Sequence, residues 1–155
     1  MPIAKAARNV ETECELVLRS LPLWFGQEAA LLDYARGTSS LPTFIFEEGD
    51  AVSGFVTLRS HFPQSFEIVC MAVRSTLRGK GIGRALLEHA SAWACAQGGK
   101  FLQVKTIAAS HRSAEYAQTR VFYEAVGFTP LEVFPNIWAQ GHPCLQLVKH
   151  LHNVV

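Results

Sequence analysis

The stretch from Val73 to Leu87 (VRSTLRGKGIGRALL) constrains the fold more than any other part of the chain. An apolar run ends at Val73, a basic turn with glycines at 79, 81 and 83 follows, and an amphipathic helix starts at once. Glycines let a ligand approach the backbone closely. A turn of this kind aims several backbone N–H groups at one point beside the positive end of a helix, which is an anion-binding arrangement suited to phosphate. Arg78, Lys80 and Arg84 surround it. The bland alternative is a solvated basic turn ahead of a surface helix.

The flanking segments set the architecture. Residues 11–24 carry Leu16, Val17, Leu21 and Trp24 at near-helical spacing, with Pro22 ending or kinking the helix. A second helix is expected from Gln27 to Arg36, with Gly37 as its C-cap. Thr43–Glu48 and Ala51–Leu58 are β-rich and flank the Gly49-Asp50 turn, which reads as an antiparallel hairpin. Phe66–Val73 is apolar enough for a central strand. The helix after the glycine turn presents Ile82, Leu86, Ala90, Trp93 and Ala94 on one face and stops at Gly98-Gly99. The strand Phe101–Ile107 follows that crossover, so it should run parallel to the strand ending at Val73. A helix from Glu115 to Val126 and strands at 128–134 and 144–149 complete an α/β domain with a mixed sheet. No clear strand precedes the first helix.

Composition narrows the function. The 155 residues are 49% hydrophobic and 17% charged, so one well-cored domain spanning 1–155 is expected. A net charge of +1 argues against a nucleic-acid or anionic-membrane partner. Cys14, Cys70, Cys95 and Cys144 show no CxxC spacing, and the histidines (61, 89, 111, 142, 150, 152) form no helical H-x-x-x-H pair, so no metal is expected. With no signal-peptide core and no run long enough to span a membrane, a cytoplasmic protein is the expectation.

Other phosphate motifs fit poorly. No segment supplies G-x-x-x-x-G-K-[ST]. A G-x-G-x-x-G reading puts Arg84 or Leu86 where the last glycine belongs. The spacing Arg78-x-x-Gly81-x-Gly83, by contrast, resembles the acetyl-CoA pyrophosphate loop of the GNAT (GCN5-related N-acetyltransferase) superfamily. The resemblance extends over roughly Phe44–Lys149. Ile68–Val73 is similar to that family's fourth strand, and Arg120–Phe128 (RVFYEAVGF) to its second signature. It implies a mostly antiparallel mixed sheet flanked by helices, with a splayed central strand pair.

The resemblance also implies roles. Acetyl-CoA would be the acyl donor, held by Met71, Ala72 and Val73 on the splayed strand, by the turn residues Arg78, Gly79, Lys80, Gly81, Ile82, Gly83 and Arg84, and by Tyr116, Phe122 and Tyr123. The N–H of Met71 or Val73 would serve as oxyanion hole. Tyr123 matches the tyrosine that protonates the thiolate; its plain alternative is an aromatic packing residue. Tyr116 stands where many members have Asn, so it either lines the groove or packs. Glu67 aligns with the base glutamate of histone acetyltransferases, or is an outward-facing strand residue. His61 and His111 are further candidates for the base or for substrate contact.

The acceptor, a small-molecule or peptide amine, would enter opposite coenzyme A among Trp24, Phe25, Tyr34, His111, Phe134, Trp138 and His142. No acidic cluster awaits a strongly cationic amine. The C-terminal run from Gly127 to Trp138, with His142-Pro143-Cys144-Leu145, is similar to a bacterial GNAT subgroup without an assigned acceptor. A homodimer is compatible with this fold. Two other readings stay open: a non-catalytic acyl-CoA-binding or regulatory module on the same fold, and a different nucleotide held in a P-loop-like manner.

Overall fold

A computed structural model describes residues 1–152. In chain order the elements are β1 (Ile3–Lys5), α1 (Glu11–Arg19), α2 (Glu28–Ser40), β2 (Thr43–Glu48), β3 (Ala51–Phe62), β4 (Ser65–Val73), α3 (Ile82–Ala96), β5 (Phe101–Ile107), α4 (Ala114–Ala125), β6 (Thr129–Phe134) and β7 (Cys144–His150). The strands form a seven-stranded sheet in the order β1-β2-β3-β4-β5-β7-β6. Every pairing is antiparallel except β4 with β5, the pair joined through α3. This is the expected splayed α/β sheet, and the crossover makes β4 and β5 parallel as the sequence implied.

Two apolar cores cover the two faces of the sheet. Ile82, Leu86, Leu87, Ala90 and Ala94 of α3 pack with Tyr123 of α4, Phe44, Val56, Leu58, Leu102 and Val104. Val17 and Leu18 of α1 and Leu31 and Ala35 of α2 pack with Ile45, Phe55, Cys70 and Ala72 on the other face.

Strand β4 serves both cores because of one residue. Thr57 of β3 pairs with Cys70, but the next residue, Leu58, pairs with Ile68, so Val69 is inserted without a partner. A bulge of this kind shifts the side-chain phase of the strand. Phe66 and Ile68 therefore face α3, whereas Cys70 and Ala72 face α1 and α2. Past the bulge Met71 and Val73 turn to the α3 side.

Several sequence expectations need correction. A first strand exists: Ile3–Lys5 pairs with Phe44–Phe46. It is three residues long and mostly exposed, so it is held by backbone pairing and leaves no apolar pattern to read. Helix α1 stops at Arg19, ahead of Pro22, in a tightened last turn where the Ser20 hydroxyl donates to the Val17 carbonyl at 2.6 Å. Leu16 is 54% exposed and belongs to no core. Gly37 lies inside α2, since the Leu41 N–H still donates to its carbonyl at 2.9 Å. Pro42 then bars another turn. No disulfide joins Cys14, Cys70, Cys95 and Cys144. No helix among the described residues is long and apolar enough to cross a membrane.

Candidate active site

Strands β4 and β5 pair from Ser65↔Phe101 to Ile68↔Val104 and no further. Beyond that point they part, and the gap is a cleft of about 980 Å³ lined by Ile68–Val73 on one side and Val104–Ile107 on the other. The Val69 bulge sits where the pairing ends and bends β4 away from β5.

Backbone polarity in the gap follows from register. The Arg74 N–H donates to the Ser53 carbonyl at 2.8 Å, so it points toward β3. Backbone groups alternate sides along a strand. The amides of Cys70 and Ala72 thus also point to β3, opposite Thr57 and Phe55. Those of Met71 and Val73 point the other way, into the cleft.

At one end of the cleft lies the glycine turn. Gly79 and Gly81 have φ of +79° and +81°, conformations that side-chain-bearing residues rarely adopt. Gly81 is the N-cap of α3, no side chain caps that helix, and its first turn has no acidic residue. The first N–H groups of the helix are therefore available to an anion. The contrast is α4, whose Ser113 hydroxyl accepts from the Tyr116 N–H at 3.3 Å. Arg78 stacks on the Trp24 ring with its guanidinium carbon 4.0 Å from the ring centre.

Helix α4 forms the wall facing the gap. Its Arg120 donates to the Ile107 carbonyl at 2.7 Å, which fixes the helix to the end of β5. Tyr123 is 5% exposed, lines the cleft and packs edge-on against Phe122 and Phe128. Burial, with a smaller contribution from the neighbouring Cys70, pushes its phenol well above the usual tyrosine range. It is a neutral hydroxyl at physiological pH.

The sequence profile of the GNAT acetyltransferase domain matches residues 39–130, more than half of the chain. The chain belongs to the GNAT acetyltransferase family. Solved structures agree on the GNAT fold. A candidate GNAT-family acetyltransferase from Desulfovibrio desulfuricans superposes with a TM-score of 0.83 at 18% identity, covering 97% of this chain and 99% of that one. An aminoglycoside 6'-N-acetyltransferase complexed with coenzyme A gives a TM-score of 0.78 at 16% identity, covering 100% and 99%. The ribosomal-protein-S18-alanine N-acetyltransferase from Escherichia coli gives 0.78 at 14% identity, covering 99% and 96%. No curated protein matches in sequence.

Most residues singled out from the sequence meet in this GNAT cleft. Met71, Ala72, Val73, Arg78, Gly79, Gly81, Ile82, Gly83, Arg84, Tyr116, Phe122 and Tyr123 all line it, and Lys80 lies on the exposed turn outside the lining. The Tyr116 hydroxyl is directed to the loop between α1 and α2, where it donates to the Trp24 carbonyl at 2.8 Å. Of the aromatic and histidine residues expected around an acceptor, Trp24, Phe25, Tyr34, His111, Trp138 and His142 line the cleft. Phe134 does not: it sits in β6, paired with Cys144.

Glu67 stands behind the cleft wall. His61 Nε2 lies 2.6 Å from its Oε1, and Lys105 Nζ donates to its Oε2 at 2.9 Å. Lys105 itself lines the cleft. Sequence reading missed it. The signal was there: Leu102 and Val104 alternate with Gln103 and Lys105 in a central strand, where a charge needs a partner. Among the described residues, no group of three or more His, Cys, Asp or Glu is placed to hold a metal ion.

Proposed function

We propose that the chain is a single-domain, acetyl-CoA-dependent N-acetyltransferase that acetylates a primary amine by direct attack in a ternary complex. The observation that carries this is the parting of β4 from β5 beyond Ile68 and Val104, with the uncapped start of α3 at one end of the gap. The donor set fits the acyl donor: free N–H groups at α3, Arg78 and Arg84 suit a pyrophosphate, and the Met71 and Val73 amides suit an extended amide-bearing arm. Four cysteines without a disulfide suit a reducing cytoplasm.

In this reading the amine nitrogen attacks the thioester carbonyl carbon. The C–N bond forms and the C–S bond breaks. An N–H of Met71 or Val73 stabilises the developing oxyanion. Tyr123, a neutral phenol, gives its proton to the departing thiolate. The amine must also lose a proton. Glu67 accepts it through water, because it stands behind the cleft lining and both its carboxylate oxygens are already hydrogen-bonded. Tyr116 braces the wall of the cleft in addition to lining it.

The same engagement of Glu67 favours a second reading, a non-catalytic acyl-CoA-binding module, since no Asp or Glu lines the cleft among the described residues. Thiol release over an amine panel, with calorimetry on acetyl-CoA and ATP, tests both. Acetyl-CoA binding with amine-dependent thiol release supports the enzyme. Binding with no release by any amine supports the module. A preference for ATP overturns both.

A further inference from the structure

We infer that the acceptor amine carries a carboxylate, as an amino acid or related amino-carboxylic acid does, and is not a polycation. This rests on the N-acetyltransferase reading and adds the acceptor class to it.

The charged side chains lining the cleft are Arg78, Arg84 and Lys105, and no Asp or Glu lines it among the described residues. Arg78 and Arg84 flank the phosphate turn. Lys105 is the cation of the remaining part. On β5, Leu102 and Val104 are buried in the α3–α4 core, so Lys105 projects to the opposite face, the side of α1 and α2. It reaches the cleft through the gap from the side away from α3.

Lys105 keeps donor capacity beyond its ion pair with Glu67. Its ammonium has three N–H donors. One meets Glu67 Oε2 at 2.9 Å and another points to Gln103 Oε1 at a long 3.5 Å. Glu67 is in turn shared with His61 at 2.6 Å. The cluster of His61, Glu67 and Lys105 thus sums to zero with a neutral imidazole and to +1 with a protonated one. In neither state is it negative. The remaining Lys105 N–H can still donate to a carboxylate, and the cluster offers no unpaired negative charge to a second ammonium.

A second feature points the same way. His111 lines the cleft, and its Nδ1 is buried without a hydrogen-bond partner. The imidazole thus keeps a ring nitrogen whose hydrogen bond is not spent within the chain. The stacked His142 ring, 5.5 Å away and tilted by 25°, holds the imidazole in place. Phe25 and Tyr34, edge to face at 6.0 Å, supply an apolar wall for the body of the acceptor.

The test is a thiol-release assay comparing free amino acids with their carboxamides and decarboxylated amines, and with kanamycin and spermidine. At least one amino acid should exceed its carboxamide and its decarboxylated amine more than tenfold in kcat/KM. Lys105→Gln should collapse that ratio toward one, and Lys105→Arg should keep it. Equal or faster turnover of the carboxamides, or preference for kanamycin or spermidine, overturns the inference and leaves the acetyltransferase reading standing. No turnover of any amine by a protein that binds acetyl-CoA overturns both.

Discussion

The Tyr116 hydroxyl donates to the Trp24 carbonyl at 2.8 Å, and the Trp24 indole N–H donates back toward α4, to the Glu115 carbonyl and the Thr119 hydroxyl at 3.2 Å each. These bonds join the loop between α1 and α2 to the wall that carries Tyr123. The outer face of the same Trp24 ring supports Arg78. Removing the hydroxyl with Tyr116→Phe costs about 1 kcal/mol of local stability, the worth of one neutral hydrogen bond. The Trp24 and Phe25 amides, which bond to the Leu21 carbonyl at 3.1 and 2.9 Å, should exchange with deuterium about fivefold faster, a rate derived from that bond energy. Unchanged exchange would show that the tie contributes nothing.

Gly81→Ala separates backbone conformation from space. An added Cβ meets nothing closer than Met1 Cε at 3.9 Å, so there is room for it. The cost comes from φ, +81°, which an L-residue adopts at about 1–2 kcal/mol. The N-cap should then relax and turn its amides off the pyrophosphate. Calorimetry is expected to show at least tenfold weaker acetyl-CoA binding with native circular dichroism. Native affinity would remove the turn from the binding site.

Tyr123→Phe keeps the ring contacts with Phe122 and Phe128 and deletes the proton donor. Turnover should fall by about 10²–10⁴, the usual worth of general-acid catalysis. Acetyl-CoA affinity should stay near wild type, and full turnover in the variant would exclude the acid role.

Alkaline pH should destabilise the fold for a definable reason. Burial raises the Cys14 thiol and the Tyr34 phenol to about 12 each, and pushes Cys70 higher still. In the unfolded chain these groups ionise near 8.5 for thiols and about 10 for phenols. Between the unfolded and folded values the unfolded state holds fewer protons, so stability falls as pH rises. The contribution is complete below about pH 8.5 and declines above it. Urea midpoints at pH 7, 9 and 10.5 should fall in that order, and Cys14→Ala should flatten the decline. A midpoint independent of pH would contradict the buried thiols.

The sequence made legible what repeats locally. Hairpin, glycine turn and α3 announce themselves by alternation, by φ-permissive residues and by a helical stripe, and α3 begins at Ile82 where the stripe begins. What depends on a partner far along the chain did not show. His61 and Lys105 lie 6 and 38 residues from Glu67, and the three form one cluster through strand pairing. Trp24 and Tyr116 meet across 92 residues. Gly37 misled because glycine near a helix end is a common stop, yet here Thr38 and Ser39 hydroxyls bond back to the Ala35 and Arg36 carbonyls and the helix continues. The Val69 insertion is invisible within an unbroken apolar run and appears only in register with β3.

That single unpaired valine also makes the cleft sensitive to chain length. Deleting Val69 would restore two-residue alternation through β4, swap which of Cys70, Met71, Ala72 and Val73 face each core, and let β5 zip onward past Val104. The spacing between Ile68 and Cys70 therefore matters as much as any side chain on the strand, because losing one residue there would close the gap between β4 and β5.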